Sequence, residues 1–172
     1  MTCSPDDFRS AMRRFPAGVA VVAAGSAPRR AGMTATAICS LSAEPPQVLA
    51  CLNRRSTTCR TVEEARCFSI NLLATSQLPL ARIFAGFDGG IPAERKFETG
   101  LWRTGVTGAP ILEDAVLTLE CALVTAHPAS THNIVIGEVM CITGEVAEDA
   151  LIYRSGVFGR WTGLAAAQPH LS

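Results

Sequence analysis

The run from Gly32 to Thr57, GMTATAICSLSAEPPQVLACLNRRST, constrains this chain more than any other segment. It reads as two β-strands joined by a Pro-Pro turn, the second running straight into a helix start. Strand side chains alternate between two faces. Met33, Ala35, Ala37, Cys39 and Leu41 therefore share one face, and Thr34, Thr36, Ile38, Ser40 and Ser42 the other. Beyond the second strand, Asn53-Arg54-Arg55-Ser56-Thr57-Thr58 gathers amide, guanidinium and hydroxyl donors beside a helix N-terminus. Unpaired N–H groups and the positive end of the helix make such a place suited to an anion. A small-residue strand surface leading to a phosphate-sized donor cluster suits a flat heterocycle with an anionic tail. The same pattern also fits a plain structure: threonine favours strands in any case, and serine or asparagine caps helices and turns.

Bulk properties narrow the class. With 172 residues, 48% hydrophobic and 17% charged, the chain reads as one domain with a sizeable core. That domain spans 1–172, its core about 5–162 and its C-terminal tail 163–172. Fifteen basic residues balance fifteen acidic ones, so no nucleic-acid partner is expected. The seven cysteines are odd in number, form no CxxC and lie mostly in apolar runs. They read as small buried hydrophobes in a reducing compartment rather than a disulfide or metal framework. Asp6 and Asp7 precede any apolar run, unlike a secretory signal, and Ala17 to Gly25 is too short to span a membrane. A cytoplasmic protein without a metal or a membrane partner is expected.

Along the chain, Ser4-Pro5-Asp6-Asp7 starts a helix carrying Phe8, Ala11, Met12 and Phe15 at helical spacing. Strands follow at Val19–Ala24 and Gln47–Asn53, a helix at Ser56–Arg66, a strand at Cys67–Leu73 and a helix at Thr75–Phe84. Gly86 to Arg95 is a loop, and TGVTGAP after Trp102 is a turn-rich stretch. Long strands at Ala115–Ala126 and Asn133–Val146 and a short one at Leu151–Arg154 precede a polar or frayed tail. Many closely spaced strands with few helices favour a small closed barrel with helices outside it. No G-x-G-x-x-G, HExxH, EF-hand loop or Gly-x-Ser-x-Gly elbow is present. Without a dinucleotide domain, a chain can still use NADH by docking its nicotinamide onto a bound ring.

The stretch TATAICSLSAEPPQVLACLNRRS closely resembles the flavin-binding segment of the short-chain flavin reductases with the FMN-binding split-barrel fold. These are the reductase components of two-component flavin-dependent monooxygenases. The resemblance continues through FRSAMRRFPAGVAVV, FSINLLATSQLPLARIFAG, RKF, WRTGVTGAPILEDAV, THNIVIGEV and LIYRSGVFGRW, in order, over most of the chain. It implies a mainly β fold with flanking helices: a Greek-key-like antiparallel barrel of about six strands, paired into a homodimer with the flavin at the subunit interface. It also implies an NAD(P)H:flavin oxidoreductase that uses FMN or FAD with NADH or NADPH and supplies reduced flavin to a separate monooxygenase. A flavin-binding carrier or sensor, or an oxidase of the pyridoxamine-phosphate type on the same barrel, are the rival readings.

By the same resemblance, Thr34, Ala35, Thr36, Ala37 and Ser40 contact the ring and ribityl chain. Asn53, Ser56 and Thr57 form the ribityl and phosphate end, Cys51 and Leu52 before them also bind the cofactor, and Lys96 with Phe97 matches a basic-Phe motif whose lysine adds charge to the phosphate or pyrophosphate. His132 aligns with a histidine near the nicotinamide and is the candidate catalytic residue. Ser130-Thr131 stands before it where the family has Gly-Asp or Gly-Thr. Read without the family, a histidine opening a strand is also an ordinary structural residue. Tyr153 shields the flavin or packs in the core. Trp102 and Trp161 read as packing, and His127 and His170 carry no role.

Overall fold

A computed structural model describes residues 2–87, 89–93, 95–144 and 148–163. The expected strand end at Glu145-Val146 and nearly all of the expected tail lie outside the described residues. Helix α1 (Pro5–Met12) starts where the sequence places it, the Ser4 hydroxyl accepting the Asp7 N–H at 3.1 Å. Five strands follow, β1 (Ala17–Gly18), β2 (Ala20–Ala24), β3 (Ala31–Ala35), β4 (Ile38–Ala43) and β5 (Pro46–Asn53). Next come α2 (Thr57–Ala65), β6 (Cys67–Leu72) and α3 (Leu78–Ala85). The chain continues through β7 (Trp102–Thr104), β8 (Pro110–Leu112), β9 (Leu117–Ala129), β10 (His132–Thr143), β11 (Leu151–Arg154) and β12 (Val157–Arg160).

Seven strands form one antiparallel sheet in the order β3-β2-β6-β9-β10-β5-β4. Its two outermost strands, β3 and β4, are consecutive in the chain and separated only by Thr36-Ala37. The sheet therefore curls until its ends meet, and the Cys51 N–H donating to Ala37 O at 3.0 Å ties the seam. With β3 and β4 taken as one bent run, this is the expected barrel, and the mainly β split-barrel fold with outer helices is confirmed. A 3-stranded sheet, β1-β11-β12, and the β7–β8 hairpin lie outside the barrel.

The bend corrects the face reading of the first strand. Alternation across an unbroken strand puts Ile38 with Thr34 and Thr36; instead Ile38 packs into the barrel interior with Met33 and Ala35. Two residues in neither ladder reset the phase, because β3 pairs with β2 while β4 pairs with β5.

Two cores result. Inside the barrel, Val22, Ala50, Leu52, Phe68, Cys121 and Val135 interlock with Cys59 and Val62 of α2. Outside it, Val19 just before β2 and Val21 and Ala23 on the opposite face of β2 pack under α3, Phe97, Leu112 and Leu151. β2 is thus buried on both faces, which explains its unbroken apolar sequence. Gly32 makes the second layer possible: a Cβ there would stand 2.8 Å from the Phe84 ring, and the missing side chain lets α3 lie flat on β3.

Other boundaries shift for local reasons. Thr75–Gln77 is a 3-10 turn rather than the first turn of α3, held by the Ala74 N–H donating to Gln77 Oε1 at 2.9 Å. β9 runs on to Ala129 through Pro128, tolerated because β6 leaves the ladder at Ala122 and Pro128 faces no second neighbour. The turn-rich stretch folds into the β7–β8 hairpin, and the residues after Leu151–Arg154 form a further strand, β12, through a Ser155-Gly156 turn with φ 54° and 84°.

Candidate functional site

The rim of the barrel at the C-terminal end of β5 gathers half of the residues named from the sequence. Asn53 ends β5 and lies opposite His132, the first residue of β10. Two residues back on β5, Cys51 holds Ala37 across the seam. Outward-facing positions on these strands are Cys51 and Asn53 on β5 and His132 and Ile134 on β10, since Leu52 and Val135 are buried inside. Thr36 and Ala37, exposed at the break, complete a surface of small side chains beside that pair.

Next to it α2 begins. The Asn53 carboxamide oxygen accepts the Arg55 N–H at 2.9 Å, an Asx turn that reverses the chain. Ser56 then caps the helix, its hydroxyl accepting the Cys59 N–H at 3.0 Å while donating to Asn53 O at 2.8 Å. The first-turn N–H groups of Thr57 and Thr58 have no partner within a helix and point out of its end. Arg54 and Arg55 flank them, and a cavity of about 540 Å³ opens among Asn53, Arg54, Arg55, Ser130 and Thr131. These arginines were visible in the sequence as part of the donor run; their place in a cavity wall depends on the β9–β10 hairpin, remote in sequence. Arg54 N–H donates to Thr131 O at 3.1 Å, pinning the two loops together. Ser130 turns this hairpin with φ 52°, a left-handed value that glycine adopts more easily. His132 keeps its ring on this exposed rim, with Nδ1 2.8 Å from the Thr131 hydroxyl.

The other named residues lie off this rim. Thr34 is turned away: its hydroxyl donates to Ala81 O at 2.7 Å, fastening β3 to α3. Ala35 and Leu52 are buried in the barrel core, where their side chains face other side chains. Ser40 is exposed farther along β4, opposite Val48.

Lys96 and Phe97 lie against α3. Phe97 is 3% exposed, its ring 5.2 Å from Phe84 and 4.9 Å from Trp102, with the Arg30 guanidinium 4.6 Å above it. That ring is packing, and Trp102 packs as expected. Lys96 stands half-buried with Nζ 6.0 Å over Phe84, and burial pulls its pKa below the usual lysine value.

Tyr153 pairs with Ala17 and stacks 5.2 Å from Phe158. It also faces Thr36 and Ala37 across a cavity of about 470 Å³ whose far wall is Phe8, Met12 and Phe15. α1 buries no residue, so its apolar stripe overlooks the strand break; sequence periodicity shows the stripe and not what it faces.

The rim fits a flavin mononucleotide in its donor set: hydroxyls, guanidiniums and free N–H groups for a phosphate, small residues and open backbone for a ring. No cluster of three or more His, Cys, Asp or Glu able to hold a metal occurs among the described residues.

A tied barrel seam beside a capped helix start defines a flavin-binding split barrel, and comparison with known proteins gives the same class. Residues 12–162 match the model of the flavin reductase like domain, and the chain belongs to that family. It is 40% identical over 147 residues to the FMN reductase (NADH) RutF of Agrobacterium fabrum, covering 86% of this chain and 83% of that protein. Among solved structures it resembles the Streptomyces globisporus C-1027 NADH:FAD oxidoreductase SgcE6 in complex with NAD and FAD fragments. There the TM-score is 0.84 at 30% identity, over 96% of this chain and 99% of the other. BorF, the flavin reductase component of a bacterial two-component tryptophan halogenase, superposes with a TM-score of 0.83 at 29% identity, over 94% and 100% of the two chains.

Proposed function

We propose that this chain is an NADH-dependent flavin reductase whose working site is the rim where Thr36-Ala37, Asn53, Ser56-Thr57 and His132 meet. The observation that carries the proposal is the pairing of Asn53 with His132 directly beside the seam bond between Cys51 and Ala37. One structural unit thereby holds a ring surface, a phosphate cradle and a histidine at fixed spacing. A bound FMN or FAD supplies the hydride acceptor, and NADH supplies the hydride.

The residues of the chain bind and orient. Ser56, Thr57 and the α2 N-terminus take the phosphate, with Arg54 and Arg55 adding charge. The backbone at Thr36 and Ala37 faces the ring, Tyr153 and α1 keep water from it, and His132 positions the nicotinamide. Holding two rings in reacting geometry lowers the barrier by up to about 7–11 kcal/mol, so orientation is the main contribution. Thr34 and Phe97 act through α3, as anchors of β3 rather than as contacts.

The reduced flavin leaves for a separate monooxygenase component, as in two-component systems. The working unit is a homodimer of one domain each. Its face is the outer surface of β4, β5 and β10, where Cys39, Leu49 and Ile136 form one row across three strands and Met140 and Ile142 stand exposed. This row adjoins His132 and Asn53, so a second copy would wall the flavin groove. Among the described residues no helix is long and apolar enough to cross a membrane and all seven cysteines are free; a cytoplasmic setting suits both those thiols and NADH.

The test is steady-state NADH oxidation with FMN or FAD added. Flavin-dependent turnover is expected from a protein that purifies nearly colourless; flavin retained without turnover would indicate a carrier and reject the reductase reading.

A further inference from the structure

A second cavity, of about 590 Å³, lies between α2 and the β9–β10 hairpin, one to two helical turns beyond the Ser56 cap. Three guanidiniums, Arg54, Arg60 and Arg66, enter its wall with one carboxylate, Glu63. Each arginine makes only a long contact, at 3.4 Å: Arg54 to Ser130 O, Arg60 to the Thr57 hydroxyl and Arg66 to Leu123 O. None is in an ion pair among the described residues, so most of their donors are unused.

Asn133 supplies the second observation. It is 7% exposed and donates its amide to Glu63, leaving Oδ1 the sole buried side-chain polar atom without a partner among the described residues. Its orientation is fixed, since reversing the amide would set an oxygen against the Glu63 carboxylate. Buried acceptors are rarely left so. The neighbouring Cys59 thiol directs its hydrogen to Glu63 Oε1 at 4.0 Å, and burial, then the Glu63 charge, raise its pKa.

The cavity thus combines a surplus of positive charge, an orphaned acceptor and an apolar side that includes Pro128, in a volume typical of small-ligand sites. A lone water would satisfy Oδ1 and leave three guanidiniums idle. A cation is opposed by the surrounding charge. We propose that this cavity is a second binding site for a nucleoside monophosphate group, with Arg60 and Arg66 on the phosphate and Asn133 Oδ1 accepting an N–H of the base. The group is either a free nucleotide or the adenylate half of FAD. Apart from Arg54, the residues used here are not those of the flavin rim, so the inference stands separately from the reductase reading.

The test is calorimetric titration of the purified protein with AMP and with inorganic phosphate, alone and with FMN or FAD saturating. AMP is expected to saturate with FMN present. Arg60→Ser, at an exposed position, should weaken AMP and phosphate at least tenfold. Asn133→Ala should weaken AMP as much while sparing phosphate. AMP displaced by FAD but not by FMN identifies the dinucleotide source; AMP indifferent to both identifies a free nucleotide. No AMP binding up to about 10 mM, an affinity below any specific site, or binding unchanged in both variants, overturns the proposal. NADH oxidation with FMN, followed in the same samples, reports the flavin site independently and should be unchanged in both variants.

Discussion

His132 and Asn53 sit opposite each other at the end of a ladder, so replacing the histidine alters what the rim offers without loosening the strands. His132→Ala is expected to raise KM for NADH several-fold while FMN affinity stays within about twofold, a change under about 0.4 kcal/mol. Initial rates at subsaturating NADH check this, and an unchanged rate would remove the histidine from the nicotinamide site. Glu120 is the acidic side chain buried in the barrel wall among the described residues. It is 1% exposed on β9, and its carboxylate accepts the Thr107 N–H at 3.1 Å and the Thr107 hydroxyl at 3.3 Å, which holds the β7–β8 turn. Gly105 leaves the room, since a Cβ there would fall on that carboxylate. Gly105→Ala should cost about 1–3 kcal/mol by overpacking, read as a lower denaturant midpoint with catalysis per folded molecule unchanged.

The adjacent strands β6 and β9 carry thiols whose burial sets a pH limit on the barrel. Burial, then the Glu120 charge, push Cys121 from 9.0 up to about 12, and the same two causes raise Cys67. A thiol raised in the folded state stays protonated while the unfolded chain ionises. Its contribution is therefore whole below pH 9 and is lost as pH rises toward 12. The loss is at most about 1.4 kcal/mol per pH unit for each such thiol. Lys96 acts oppositely, because burial lowers its pKa and the cost of its charge is relieved as pH rises. Denaturant midpoints should fall above pH 9, and fall less steeply in Cys121→Ala; equal slopes would refute the assignment.

Legibility also differs by element. The caps of α1 and α2 and strands β2, β5 and β6 were readable because each is set by local chemistry: a serine hydroxyl, a β-branched run, a period of two. The bend at Thr36-Ala37 was not, since only the closing of the sheet decides that β3 and β4 take different partners. Rim residues near one another in sequence, Asn53 to Thr57, were found together. Lys96 and Phe97 were named from a motif, which gives residue type and not facing, and the α3 layer against which the Phe97 ring packs comes from tertiary packing.

At the scale of the whole molecule, the described residues leave one outer face of the barrel without a cover of its own. β2 and β3 lie under α3, α2 covers a further side, and the outer face of β4, β5 and β10 keeps Leu49, Ile134 and Ile136 only half-buried. Ile136→Lys places a charge in the row formed with Cys39 and Leu49 and should give a folded monomer with weakened flavin binding. Light scattering checks the mass, and a dimer that persists with full flavin affinity would exclude this face as the interface.

The central claim is that a flavin phosphate rests at the start of α2. Thr57→Glu tests it most directly, because the side chain is exposed and an acid in the first turn favours the helix. FMN and riboflavin, which differ only by the phosphate, are titrated by flavin fluorescence against both proteins. The expected result is at least a tenfold loss of FMN affinity, about 1.4 kcal/mol, with riboflavin unchanged. Equal FMN affinity in both proteins, or none in either, would contradict the account.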